Sequence, residues 1–460
     1  MIRYILNSRS PLFWVVFHMA LGIVSTLTPW VIIAWFYFVL LTTWVNLFRR
    51  TGGTFVPLVF LVAYATSFEL LARMSRTSPF VPYELGKYLL LVLLLFGILK
   101  GYRRGYIGWL MLALLLPGAF FDLAGETTFK NIVFNLIGPI NVALAVIIFS
   151  KQDIVKEDFI GTLRLMLYPL VAVVSFAILK SPELEDVEFT LGGNFETSGG
   201  FGTNQVSMGL GLGSFIIFLF IKKRWTFTGY RWLDMALFLL FIFRGLITFS
   251  RGGMIGAALG ILILLLLDRN VSIEKRVFRP ARTILTMIPF LLILMFTFIY
   301  ANNLTGGLLS QRYKGETPGT LAGRKEKTLN VLTANRLQIF IDDLELWKEN
   351  PAFGVGVGAS RHLRDDTKGY LSHIEISRLL SEHGILGLIY TTILLVLGVK
   401  LFKRNRHSQY VAIMSALYLI ALFTTFHAAM RTYVSPLLFG LSFLSIIEVD
   451  SDVHETENES

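Results

Sequence analysis

The sequence predicts an all-α protein, a polytopic transmembrane helical bundle of about 12–14 spans, with one long extracytoplasmic loop carrying short helices. Three observations predict it. Hydrophobic residues make up 54% of the 460 residues and charged ones only 16%, against roughly 25% charged in soluble domains. Apolar runs recur from Pro11 almost to the end of the chain. Lys and Arg gather in alternate loops, as they do on the cytoplasmic side of membrane proteins. Together these exclude a soluble globular enzyme, a disordered chain and a disulfide scaffold. Cys is absent, which excludes disulfides and Cys-ligated metal or iron–sulfur centres. In a soluble protein a net charge of +11 would point to nucleic acid. In a membrane protein it points first to orientation, so no nucleic-acid partner is expected.

The short basic N-terminus (Arg3, Arg9) enters the first apolar run without a small-residue cleavage site, so an uncleaved span is expected there rather than a signal peptide. The candidate spans are 11–28, 30–48, 54–72, 87–100, 105–121, 131–150, 158–180, 204–221, 232–249, 252–268, 283–300, 384–400, 409–427 and 435–449. The apolar content fills about twelve spans of roughly 20 residues, so two or three of these are expected to be half-helices or tilted pieces. Alternation puts Arg49-Arg50, Lys100 with Arg103-Arg104, Lys151 with Lys156, Lys222 to Arg224, Arg269 to Arg282, and Lys400 to Arg406 on one side, the cytoplasm. The other side receives Asp122, Glu126, the acidic stretch Glu183 to Glu188 and the long segment 301–383. Arg73, Arg76 and Lys87 break the pattern there. The chain then divides into N-terminal spans (1–180), central spans with an outer Arg-bearing motif (181–300), the extracytoplasmic loop (301–383), C-terminal spans (384–449) and an acidic tail (450–460) expected to be disordered. No repeat of fixed period is present, which weighs against transporters built from inverted repeats.

Within the outer loop, Asn302 to Thr328 is rich in Gly, Thr and Lys and is expected to be a mobile loop. From Asn335 to Glu349, Leu337, Ile341, Leu344 and Leu346 or Trp347 recur at helical spacing, which places Asp342, Asp343, Glu345 and Lys348 off the apolar face. Asn350-Pro351 ends that helix. The run F-G-V-G-V-G-A-S (353–360) lacks the strand–helix context of a nucleotide fingerprint. A tight turn with close backbone packing is expected, an approach that also suits a lipid pyrophosphate. In L-S-H-I-E-I-S-R-L-L-S-E-H-G-I-L-G (371–387) a helix would set His373, Ser377 and Ser381 on one stripe and Glu375, Arg378 and Glu382 on another. His373 and Glu382 would then lie about 180° apart, unless the helix starts after His373 or bends. Glu382 is therefore expected as an orienter or ion-pair partner of Arg378 rather than as half of a catalytic dyad.

Arg244 lies inside a candidate span, where a charge is costly and faces protein or a water-filled cavity. Arg251 follows seven residues later, about two turns along a helix, so both can share a face roughly 10 Å apart. Two such guanidinium groups match a pyrophosphate; a snorkelling Arg244 beside a loop Arg251 is the other reading. Glu69, His18, His427, Asn135 and Asn141 are expected mostly as interhelical hydrogen-bond partners, and Arg431 as a snorkelling residue. Asp342-Asp343 and Asp365-Asp366 are adjacent residues that would point apart on a helix, so no metal site is expected.

Four pieces then occur in order: G-G-F-G-T-N-Q (199–205), T-F-S-R-G-G (248–253), N-R-L-Q-I-F followed by N-P-A-F-G-V-G-V-G (335–358), and S-H-I-E-I-S-R-L-L-S-E-H-G-I-L-G (372–387). In this order and topology the segment from roughly 190 to 400 resembles the O-antigen ligase and O-antigen polymerase superfamily of bacterial inner-membrane proteins. Ile374 departs from the pattern, since many members carry Asn or Ser after the histidine. The resemblance implies a multi-pass glycosyltransferase of the inner membrane; the basic loops and an even number of spans put both termini in the cytoplasm. Its donor would be an undecaprenyl-pyrophosphate-linked glycan. The acceptor would be a sugar hydroxyl on the outer face, on a glycolipid (ligase) or another lipid-linked unit (polymerase). It implies His373 as general base or acceptor-orienting residue, and Arg251 and Arg336 as pyrophosphate or donor contacts. Asn204, Arg378 and Glu382 would support them. Arg244 joins the donor contacts from helix spacing alone. No cofactor is expected.

The chemistry is coherent on its own terms. Arginines can stabilise a pyrophosphate leaving group without a metal, and a histidine with an unperturbed pKa near 6.5 suits aligning or deprotonating a hydroxyl. Outside the motif, His373 would read as a surface-loop histidine. A transporter or lipid-linked oligosaccharide flippase is the alternative, and a membrane scaffold docking a partner through its outer loop is a third.

Overall fold

The computed structural model describes residues 10–49, 55–102, 105–268, 279–430 and 432–448. Arg3, Arg9, Arg50, Arg103, Arg104, the basic segment from Arg269 to Phe278, Arg431 and the tail beyond Glu448 lie outside the described residues.

The bundle is all-α, as the apolar runs predict. In chain order its helices are α1 (Pro11–Val24), α2 (Trp30–Arg49), α3 (Phe55–Met74), α4 (Leu85–Leu99), α5 (Tyr106–Leu115), α6 (Phe129–Phe149), α7 (Lys156–Lys180), α8 (Thr203–Lys222), α9 (Arg231–Ile247) and α10 (Arg251–Leu267). They continue as α11 (Arg279–Leu304), α12 (Leu308–Tyr313), α13 (Pro318–Leu321), α14 (Leu329–Leu332), α15 (Arg336–Glu349) and α16 (Ser360–Leu363). The last four are α17 (Glu375–His383), α18 (Ile385–Asn405), α19 (Val411–His427) and α20 (Val434–Ser442). Among the described residues the strands are β1 (Asp153–Val155) and β2 (Ser445–Ile447), parallel, with Asp153 opposite Ser445.

Among the described residues five helices are long and apolar enough to cross a membrane outright: α3, α6, α7, α8 and α18. The apolar stretch of α3 is 89% buried inside the protein and that of α18 only 28%, so α3 is the bundle's centre and α18 lies on its lipid-facing edge. Among the described residues seven shorter helices are apolar as well. The half-helices expected from the composition include α5, with 10 residues, and α20, which has 9 where a full span was expected over 435–449. At 1.5 Å per residue each covers about 15 Å, half the hydrocarbon core. Both pack against α6.

Close helix contacts use small residues. A Cβ on Gly253 of α10 would lie 2.2 Å from the Ser207 carbonyl oxygen of α8, and one on Gly211 would lie 2.3 Å from the Gly253 carbonyl oxygen. Ser207 and Gly211 are one helical turn apart, so their small side chains let the two backbones touch, the usual basis of tight packing where lipid supplies no hydrophobic drive. This contact fixes the start of α10, where Arg251 sits.

The long 301–383 segment departs from two expectations. Asn302 to Thr328 is not a plain loop, because it contains α12 and α13. The latter is opened by a capping box in which Thr317 and Thr320 each accept the other's backbone N–H, with Pro318 at the first helical position. In α15 the inward face is Ile339, Asp342, Asp343 and Leu346, while Ile341 is exposed. The two aspartates are buried because neighbouring loops supply partners for them, so polarity misplaces the helix face.

Candidate active site

A buried polar core attaches the long 301–383 segment to the bundle. Arg378 of α17 is 2% exposed and pairs with Glu375 and, at 2.9 Å, with Glu382. It also donates to the Asn135 carbonyl at 2.9 Å. That carbonyl is open for a covalent reason: Pro139, four residues on in α6, has no N–H to close the helical bond. Glu382 accepts a hydrogen bond from Ser360 and Glu375 one from the Met430 N–H, both at 2.9 Å. Asp343 of α15 accepts from Arg364 at 2.8 Å and from Ser377 at 2.7 Å. Burial raises the Asp343 carboxyl above its ordinary range, against the opposing pull of Arg364. For Arg378 burial acts to lower the guanidinium, yet the surrounding carboxylates prevail and hold it above its usual value.

The glycine turn closes this core. Gly354, Gly356 and Gly358 have φ of 74°, 96° and 85°, the left-handed region that favours glycine. The Val355, Gly356 and Val357 N–H groups donate to the carbonyls of Ser381, Glu382 and Gly118. Close backbone packing is found as expected, but these N–H groups are spent on protein. They are therefore not open to a lipid pyrophosphate.

His373 lies before α17, because the helix begins at Glu375. The stripe His373–Ser377–Ser381 therefore does not form. Ser377 and Ser381 turn to Asp343, while the His373 carbonyl accepts from the Ala429 N–H at 3.0 Å. His373 lines a cavity of about 380 Å³ together with Asn204, Gln205, His427, Arg73 and Lys87. Glu382 and Arg378 line a neighbouring cavity of about 510 Å³ with Lys130, Asn131, Tyr88 and Arg361. The two cavities share Tyr83, Glu84, Phe134 and Leu371 as a wall. Glu382 thus belongs to the polar core and not to the histidine's cavity. On the wall, the Arg73 guanidinium stands 4.3 Å from the Tyr83 ring centre and the Lys87 ammonium 4.5 Å from that of Phe134. Arg73 is paired with Glu69, and Lys87 with Glu84 at 3.1 Å. These cations were the exceptions to the positive-inside pattern, and that irregularity was the signal that could have marked them as cavity-lining residues.

Beside the cavity stands a cluster of arginines. Arg251, at the start of α10, donates to the carbonyls of Arg312 at 3.3 Å and Leu332 at 2.7 Å. Arg312 of α12 donates to the Phe249 carbonyl at 3.2 Å. Burial, then the like charges of Arg251 and Arg336, pull the Arg312 guanidinium down to about 10. Burial and Arg251 lower Arg336 of α15 as well. Among the described residues none of the three has an ion-pair partner. The cluster adjoins the cavity through two contacts. Asn204 accepts from Ser250 at 2.6 Å, and the His427 ring lies against Gly252, within electrostatic reach of Arg336 and His373.

Arg244 is elsewhere. The chain breaks between α9 and α10, with Phe249 at φ 58°, so the shared helix face with Arg251 does not form. Arg244 is 4% exposed and donates to the Ala177 carbonyl at 2.8 Å, the Ser181 hydroxyl at 2.6 Å and the Thr197 carbonyl at 2.8 Å.

Cluster, histidine and cavity thus lie together at one end of the bundle. Residues 235–392 match the O-antigen ligase family. A search of curated proteins gives no match. The O-antigen ligase match supports the resemblance carried by the motifs, and at the family level it supports a membrane glycosyltransferase. It contains Arg251, Arg312, Arg336, His373, Arg378 and Glu382 but not Asn204, Arg73, Lys87 or His427, which the fold adds from outside the matched residues. Arg312 was missed because it lies in the stretch that composition alone marks as mobile.

Proposed function

We propose that this protein transfers a glycan from an undecaprenyl-pyrophosphate carrier to a sugar hydroxyl at the outer face of a bacterial inner membrane. The observation that carries this is the set of three half-buried arginines, Arg251, Arg312 and Arg336, gathered from three helices beside the His373 cavity. Like charges so placed, with no carboxylate paired to them among the described residues, are suited to an anion such as a pyrophosphate. An apolar groove of about 500 Å³ between α9, α10 and α11, reaching Tyr313, runs up to the same cluster and fits the lipid part of such a donor. The larger cavity across the Tyr83–Phe134 wall offers aromatic and amide side chains to an acceptor glycan.

In the proposed step the acceptor hydroxyl oxygen bonds to the anomeric carbon. The bond from that carbon to the pyrophosphate oxygen breaks, and its electron pair stays on the pyrophosphate, held by the arginines. The hydroxyl proton passes to the His373 imidazole. Asn204 holds Ser250, and so positions Arg251; Arg378 and Glu382 hold the loop that carries His373. Arg244, with three hydrogen bonds to the 177–197 region, acts in holding that region together.

The test is transfer by purified protein in liposomes. His373→Ala is expected to abolish transfer with the fold intact, and Arg312→Gln to raise the donor KM. Arg244→Met is expected to lower thermal stability and leave the donor KM unchanged. Unimpaired transfer by His373→Ala would remove the histidine from the chemistry. Movement of lipid-linked glycan across vesicles, without any new glycosidic bond, would replace the enzyme reading with a flippase.

A further inference from the structure

At the opposite end of the bundle, where α6 and α18 finish and α5 begins, lies a recess of about 380 Å³. Its cations are Lys151, from the turn after α6, and Lys400 and Arg404, four residues apart on α18 and so on one face. Ser150 and Tyr106 bring hydroxyls, and Leu397 forms part of its apolar wall. Three positive charges share the recess and, among the described residues, no carboxylate lines it; Asp153 acts on Arg404 from outside. Lys400 has no hydrogen-bond or ion-pair partner among the described residues, and Arg404 donates one bond, at 3.0 Å, to the Phe443 carbonyl. The surface running from the recess along α5 and α18 is apolar and exposed, at Tyr106, Trp109, Val396 and Val399.

We propose that this recess binds the phosphate headgroup of an anionic phospholipid, whose acyl chains lie on the exposed α5–α18 face. Charge complementarity selects an anion, and basic pockets between membrane helices take such headgroups. The continuous apolar surface selects a lipid over a free phosphate, because a soluble ion would leave that surface unmatched. The short α5 and the lipid-facing α18 are the helices such a lipid would bridge. The proposal does not depend on what reaction the protein performs.

The experiment uses the full chain, purified in detergent and examined by native mass spectrometry and thermal melting. The additions are phosphatidylglycerol, phosphatidylethanolamine or inorganic phosphate at matched concentration. Phosphatidylglycerol is expected to stay bound and raise the melting temperature, with little effect from the other two. Lys151→Gln and Lys400→Gln should each weaken its binding about fivefold, and the double variant should lose the preference. Lys400→Arg, which keeps the charge, should retain it and so separates charge loss from misfolding. Equal retention of the two lipids by the native protein, or an unchanged preference in the double variant, would overturn the proposal. Stabilisation by inorganic phosphate alone would overturn the lipid assignment.

Discussion

Replacing Arg378 with Met removes the guanidinium that lies between Glu375 and Glu382, with all three side chains nearly inaccessible. Removing one partner of a buried pair costs roughly 3–5 kcal/mol, because the remaining charge is stranded. Two carboxylates are stranded here. The Asn135 carbonyl also loses its donor, and Pro139 cannot replace it, which adds roughly 1–3 kcal/mol. Met430 and Ser360 still donate to the carboxylates, and a carboxylate can relieve itself by taking up a proton. The expected loss is therefore about 5 kcal/mol at neutral pH. The assay is reversible unfolding by SDS titration in mixed micelles. The control is the triple variant Arg378→Met, Glu375→Gln, Glu382→Gln, which removes the three charges together and is expected to recover more than half of the loss. A single-variant cost below about 1 kcal/mol, or a triple variant no more stable than the single, would refute the view that charge pairing holds the loop.

Two further outcomes follow from local geometry. Gly253→Ala places a methyl 2.2 Å from a backbone oxygen of α8, and is expected to cost about 1–3 kcal/mol by overpacking. Gly256→Ala, which meets only the Phe423 ring at 3.2 Å, should melt close to the parent. His383 is held neutral, with burial and then Arg378 lowering its pKa to about 3. A depressed value means that its contribution is complete above pH 6.5 and fades as the pH falls from there toward 3. At pH 5 the loss is about 2 kcal/mol, so melting at pH 7.5 and pH 5 should differ less in His383→Gln than in the parent.

The apolar runs were sufficient for the all-α membrane class, since long hydrophobic stretches permit little else in a bilayer. The short Tyr106–Leu115 and Val434–Ser442 helices read as spans because hydropathy counts apolar residues and not helix length. The Glu375–Arg378–Glu382 pairing follows from helical spacing alone. The burial of Asp342 and Asp343 does not, because their partners, Thr367 at 2.6 Å and Arg364 at 2.8 Å, come from a loop beyond the helix. Arg244 and Arg251 were joined by a helix that the chain breaks at Phe249, a positive-φ residue with nothing in its type to announce it. Arg73 and Lys87 were visible as misplaced charges, but their position across from His373 depends on contacts of the folded chain.

The half-length of α20 bears on how the chain is assembled in the membrane. Nine residues cannot cross the hydrocarbon unaided, and the helix's main contacts are α19, just before it, and α6, nearly 300 residues earlier. Its strand β2 likewise pairs with β1, which follows α6 directly. This short helix therefore seats in a surface that α6 and α19 provide, as a wedge rather than an independent span. By the same logic, damage to the α6 face that α20 covers would be felt first as a loosened α20 and β2, far along the chain from the altered residue.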